Sequence, residues 1–188
     1  MTPNYADEGT TTPSTNTPKV LILGLGNTLL QDEGVGIKIL ERLDADHQWP
    51  DQVTLLDGGV MGLGLLPYLE SANAVLLLDA VHTGEPPGTV VRLEGDEIPA
   101  VVALKMSMHQ VGLQETLAMC RFRGTTPERL VLLGVVPAHL DLGLDLSPQV
   151  AARVTTLVDA AVSELRGWGV LDSKDQELPP DAQARDVG

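Results

Sequence analysis

Residues able to do chemistry recur at comparable places in this sequence. Asn27, Asp32 and Glu33 follow the apolar run Lys19–Leu25, and Asp57 follows Val53–Leu56. Asp79 and His82 follow Ala74–Leu78, His139 follows Leu130–Val136, and His109 opens a later helical pattern. Carboxylates and imidazoles at such points can move protons or activate water. Glu33, Asp79 and His109 together also offer two hard oxygen donors and one nitrogen donor, a set that suits a divalent transition metal. Plainer uses compete with this chemistry. Asp32 and Glu33 can cap a helix, Asp79 can close a strand-end turn, and His109 can decorate a helix start. Neither a His-Glu-x-x-His pair nor a Gly-x-Ser-x-Gly elbow is present, so the local signatures of zinc peptidases and serine hydrolases are missing. Cys120, the single cysteine, falls on the apolar side of a helical pattern and reads as packing.

The stretch Leu21–Gly36 (LILGLGNTLLQDEGVG) raises a second possibility. Strand, glycines and helix in that order are the start of a dinucleotide fold, and Asp57 after the second strand mimics its ribose-binding acid. The third glycine position, however, is Leu29, and the helix opens with Asp32-Glu33. Carboxylates there occupy the electropositive corner that a phosphate needs. A nucleotide is therefore not expected.

These residues need a scaffold, and its elements are legible. Gly34–Leu43 places Val35, Ile39 and Leu43 at helical spacing opposite Lys38, Glu41 and Arg42. A short helix is expected over Gly62–Glu70, a less apolar strand over Thr89–Leu93, an irregular stretch after it, and a helix over Gln110–Cys120 with Val111, Leu113, Leu117 and Cys120 inward. Ser147-Pro148 reads as the start of one long helix to about Trp168, with serine at the cap and proline in the first turn. Alternating helices and strands that are apolar on both faces predict a three-layer α/β/α sandwich around a mostly parallel sheet. Sites in such sheets form beyond the carboxyl ends of the strands, where the strand order reverses.

Composition sets the bounds. The chain has 188 residues and a formal net charge of −14, which argues against nucleic acid and anionic membranes as partners. No apolar run reaches the roughly 18 residues of a membrane helix. The first residues lack the basic and apolar regions of a secretory signal, and cysteine usage fits a reducing cytoplasm. Residues 1–18 and 172–188 read as disordered tails flanking one domain over 19–171.

Five segments in series carry a resemblance. They are Gly24-Leu25-Gly26-Asn27-Thr28-Leu29-Leu30-Gln31-Asp32-Glu33-Gly34-Val35-Gly36; Asp57-Gly58-Gly59; Asp79-Ala80-Val81 with Pro87-Gly88-Thr89 after it; Ser107-Met108-His109-Gln110-Val111-Gly112-Leu113; and Gly134-Val135-Val136-Pro137. Together they resemble the maturation endopeptidases of nickel–iron hydrogenases over roughly Val20 to Leu165. The resemblance implies a five-stranded mixed sheet in order 2-1-3-5-4 with strand 4 antiparallel. It implies an aspartic-type endopeptidase that trims a C-terminal extension from the hydrogenase large-subunit precursor once nickel is in place. It also implies that Glu33, Asp79 and His109 bind the metal and serve catalysis, the nickel arriving with the precursor. Asn27 and Asp57-Gly58-Gly59 are then candidates to line the peptide cleft. A non-catalytic chaperone of the same precursor is the alternative. Of the lesser candidates, Asp32 is expected to cap the helix and Asn27 to fix its loop. His82 and His139 are expected in exposed loops, His47 in a polar connection, and Met106 and Met108 in loop packing.

Overall fold

A computed structural model describes residues 18–102 and 108–171, and the side chains of all these except 100–102 and 108–111. Of the expected tails 1–18 and 172–188, all but residue 18 lie outside the described residues, as do Met106 and Ser107.

The apolar runs become strands β1 (Val20–Leu25), β2 (Val53–Gly59), β3 (Ala74–Ala80), β4 (Val90–Glu94) and β5 (Arg129–Val135). Their order is β2-β1-β3-β5-β4, with β4 antiparallel to β5 and every other pairing parallel. The mixed sheet implied by the resemblance is thus the observed one. β1 and β3 are buried along their whole length, as strands covered on both faces must be.

The helices are α1 (Val35–Asp46), α2 (Leu66–Ser71), α3 (Glu97–Val102), α4 (Met108–Arg123), α5 (Pro148–Ala151) and α6 (Val154–Gly167). Short 3-10 turns at Gln31–Gly34 and Gly62–Leu65 lead into α1 and α2. Side-chain alternation sorts the strands into two cores. Ile22, Leu76, Leu78 and Leu133 pack with Val35, Ile39 and Leu43 of α1 and Leu157, Ala161 and Leu165 of α6. Leu23, Leu77 and Leu132 pack with Leu65, Leu69, Ile98, Leu113, Leu117 and Cys120 on the other side. Cys120 is fully buried there, and burial pushes its thiol above the ordinary value, so it is a core residue.

Two elements differ from expectation. The stretch after β4 contains α3, which buries Ile98 in the second core. The single helix expected from Ser147 is two. Ser147 does cap α5, accepting from the Val150 amide, but the chain leaves that helix at Ala152 and restarts at Val154. Arg153, in the break, donates through Nε to the Gly88 carbonyl at 3.1 Å.

Candidate active site

The three parallel strands β2, β1 and β3 end together. Gly24 pairs with Asp57 on one side and with Leu78 on the other, so Asp79 lies one residue beyond this row. The chain leaves β1 toward β2 and returns across it to β3, which makes the carboxyl end of β1 and β3 the switch point of the sheet.

Glycines let α1 start directly over that edge. A Cβ on Gly36 would lie 2.1 Å from the Leu78 carbonyl oxygen and 2.4 Å from that of Leu25. Gly26 has φ +121°, and a Cβ there would lie 1.7 Å from the Glu33 carbonyl oxygen. The turn bearing Glu33 is therefore folded back onto the end of β1, next to the strand that carries Asp79. Both carboxylates are removed from solvent, with Glu33 4% and Asp79 0% exposed.

Alternation along β3 puts Asp79 on the face of Val75, Leu77 and Val81, the face that α4 covers. Gly112 of α4 meets Gly62 after β2 so closely that a Cβ on Gly112 would be 2.3 Å from the Gly62 Cα. The Thr116 hydroxyl, donating to the Gly62 and Gly112 carbonyls, ties the same crossing. The first turn of α4, which contains His109, thus begins beside this edge. The His109 side chain lies outside the described residues. Among the described residues no three Asp, Glu, His or Cys side chains form a metal-binding group. Glu33 and Asp79 are both buried, on a turn and a strand that meet at this edge.

Asp32 does something the sequence did not suggest. It caps neither its own turn nor α1. Its fully buried carboxylate reaches across to the segment after β5, accepting the backbone N–H groups of Ala138 (2.8 Å), His139 (3.0 Å) and Ser147 (2.7 Å). Burial pushes this carboxyl up, but the bonds from His139, Ser147 and Ala138 together outweigh burial and hold it below the ordinary value. Asp32 is ionised and its charge is spoken for by the backbone, which separates it in role from its neighbour Glu33.

The cleft candidates sort differently. The Asn27 side chain accepts from the Leu29 amide at 3.0 Å, so it shapes the loop as expected. Asp57 is exposed at the end of β2, at the rim of the edge. Gly58 is needed for internal packing, since a Cβ there would meet Leu23 Cδ1 at 2.6 Å and Leu65 Cδ2 at 3.1 Å. Gly59 has φ +39°, and its carbonyl accepts from the Gly26 amide, joining the β1 and β2 loops. His82 and His139 are exposed. His47, half-buried at the far end of α1, contacts Trp49 and the Leu43 carbonyl, away from the site.

With this geometry in place, comparison with known proteins decides the family. The sequence model of the hydrogenase maturation proteases matches residues 37–164. The chain is 43% identical over 171 residues to the hydrogenase expression/formation protein HupD of Rhodobacter capsulatus, covering 90% of this chain and 81% of that one. The chain belongs to the hydrogenase maturation protease family. A further member, the hydrogenase 2 maturation protease of Escherichia coli, is 37% identical over 153 residues, covering 81% of this chain and 93% of its own length. The solved structure of the E. coli hydrogenase maturating endopeptidase HybD shares the fold with a TM-score of 0.79 at 36% identity, covering 86% of this chain and 98% of HybD. The family match spans Asp57, Asp79 and the α4 turn with His109, and it begins just past Glu33.

Proposed function

We propose that this maturation protease cleaves the C-terminal extension from a nickel-loaded hydrogenase large-subunit precursor, and that Glu33, Asp79 and His109 recognise the nickel. The observation that carries this reading is the burial of Glu33 and Asp79, from two different segments, at one switch point of a protease-family fold. Two carboxylates kept from water on adjoining segments would favour a nearby cation. Oxygen donors with one imidazole and no thiolate match a divalent metal at an open site. Such a donor set would touch nickel held by the precursor without extracting it, so the metal is part of the substrate.

In this reading the precursor's nickel docks the chain end against the edge and fixes the scissile peptide. Water adds to the peptide carbonyl while Glu33 or Asp79 takes its proton, and that proton passes to the departing amine. The products are the mature carboxyl terminus and a released peptide. Asp57 and Asn27, at the rim, would flank the peptide, and with a carboxylate as the base the reaction would be of the aspartic type. The reaction would run in the cytoplasm, on a folded protein substrate and without a nucleotide. Incubation with nickel-loaded precursor followed by mass spectrometry tests the proposal. Loss of a C-terminal peptide is expected with the wild type and absent with Glu33→Gln, Asp79→Asn and His109→Ala. An intact precursor after wild-type treatment would leave only a non-catalytic, chaperone-like role.

A further inference from the structure

The carboxyl edge carries an apolar feature that the cleavage chemistry does not use. Leu142 and Leu144 are 84% and 69% exposed in the segment after β5, and Leu29, 58% exposed, stands in the loop after β1. Leu140 is also exposed, and the leucines alternate with the exposed acids Asp141 and Asp145. Isolated exposed leucines are ordinary, but a contiguous set on one edge marks a contact surface.

This set is held out by backbone bonds. Leu30 and Gly143 form a parallel bridge, in which the Gln31 amide donates to the Gly143 carbonyl at 2.9 Å and the Gly143 amide donates to the Leu29 carbonyl at 3.0 Å. The Asp32 carboxylate clamps Ala138, His139 and Ser147 at the two ends of the same segment. The two loops are thus one preorganised ledge, fixed to the residue next to Glu33. Preorganisation lowers the ordering cost of docking a partner.

We propose that this leucine ledge is a docking surface for the large-subunit precursor, complementary to an apolar patch bordered by Lys and Arg. The proposal rests on the precursor being this protein's substrate. Two observations select that occupant. The ledge is continuous with the Glu33 turn, so a protein seated on it is within reach of the candidate site. Its leucines are interleaved with Asp141 and Asp145 in a chain of net charge −14, which favours a basic partner surface and opposes a second copy of this chain.

The test is calorimetric binding of purified nickel-loaded precursor to the Glu33→Gln variant, with and without Leu142→Ser and Leu144→Ser. The added substitutions are expected to weaken binding by about tenfold or more. In the Glu33-intact enzyme they should raise KM by a similar factor and leave kcat unchanged. Asp141→Asn with Asp145→Asn should flatten the salt dependence of binding. Both positions are exposed, so thermal melting should match the parent. An unchanged Kd, or no binding by Glu33→Gln at all, overturns the ledge even if wild type cleaves normally. Light scattering that finds a wild-type dimer dissociated by the leucine changes overturns it too. Weakened binding in a protein that never cleaves supports the ledge and instead removes the endopeptidase reading.

Discussion

Two adjacent acids, Asp32 and Glu33, lie in the same 3-10 turn and do different work. Asp32 is consumed by three backbone N–H groups, whereas Glu33 sits at the switch point with Asp79. Asp32→Ala would strand those buried donors and should cost about 3 kcal/mol or more in urea denaturation. It should lower processing as well, because the ledge and the Glu33 turn share the clamp. Glu33→Gln should instead abolish processing with little change in stability. The folded-state pKa of Asp32 lies below the ordinary 3.8, so the ionised clamp contributes fully at neutral pH and is lost as pH falls through the lowered value. The stability difference between wild type and Asp32→Ala should therefore be flat from about pH 8 to pH 5 and shrink below about pH 4. A difference that instead shrinks on going from acid to neutral pH would contradict an ionised Asp32. Nothing local in the sequence distinguishes the two acids. An Asp-Glu pair before a helix reads as capping, and the partners of Asp32 lie more than a hundred positions away along the chain.

At the scale of elements, close approach through glycine sets where the site forms. Gly36 lets α1 rest on the carbonyls of Leu25 and Leu78, which are backbone atoms and cannot rotate aside. Gly36→Ala should push α1 from the sheet and destabilise by about 1–3 kcal/mol, read from the urea midpoint, with processing falling as the Glu33 turn moves. Gly112→Ala should shift α4 off Gly62 and carry the turn with His109 away from the edge, giving slower processing in a folded protein. A Gly112→Ala enzyme of wild-type rate would show that the Gly62–Gly112 crossing does not position the site. The strands were legible because β1, β3 and β5 are apolar on both faces, and α1 because its inward residues repeat at helical spacing. The break between α5 and α6 was not, since Ala152-Arg153 contains neither glycine nor proline, and Arg153 in the break bonds to Gly88, 65 positions away. α3 was hidden because a six-residue segment holding Pro99 is too short to reveal a helical period.

For the whole molecule, alternation of elements predicts a layered sheet but not its strand order. Strands β3 and β4 are consecutive in the chain, yet β5 lies between them, as the family resemblance implies. Strand order matters because it creates the switch point where the turn with Glu33 meets the strand with Asp79. His109 stood out in the sequence only as one donor at a helix start, a weak signal that the resemblance strengthened. The net charge of −14 acts at this scale as well. If a basic precursor surface is steered to the acidic ledge, the processing rate at low substrate should fall severalfold between about 50 and 500 mM salt. A salt-independent rate would contradict steering.

The most direct test of nickel recognition is to incubate the wild-type enzyme with nickel-loaded and nickel-free precursor side by side and follow release of the C-terminal peptide by mass spectrometry. Recognition through Glu33, Asp79 and His109 predicts cleavage of the nickel-loaded form alone. Equal cleavage of both forms would contradict it.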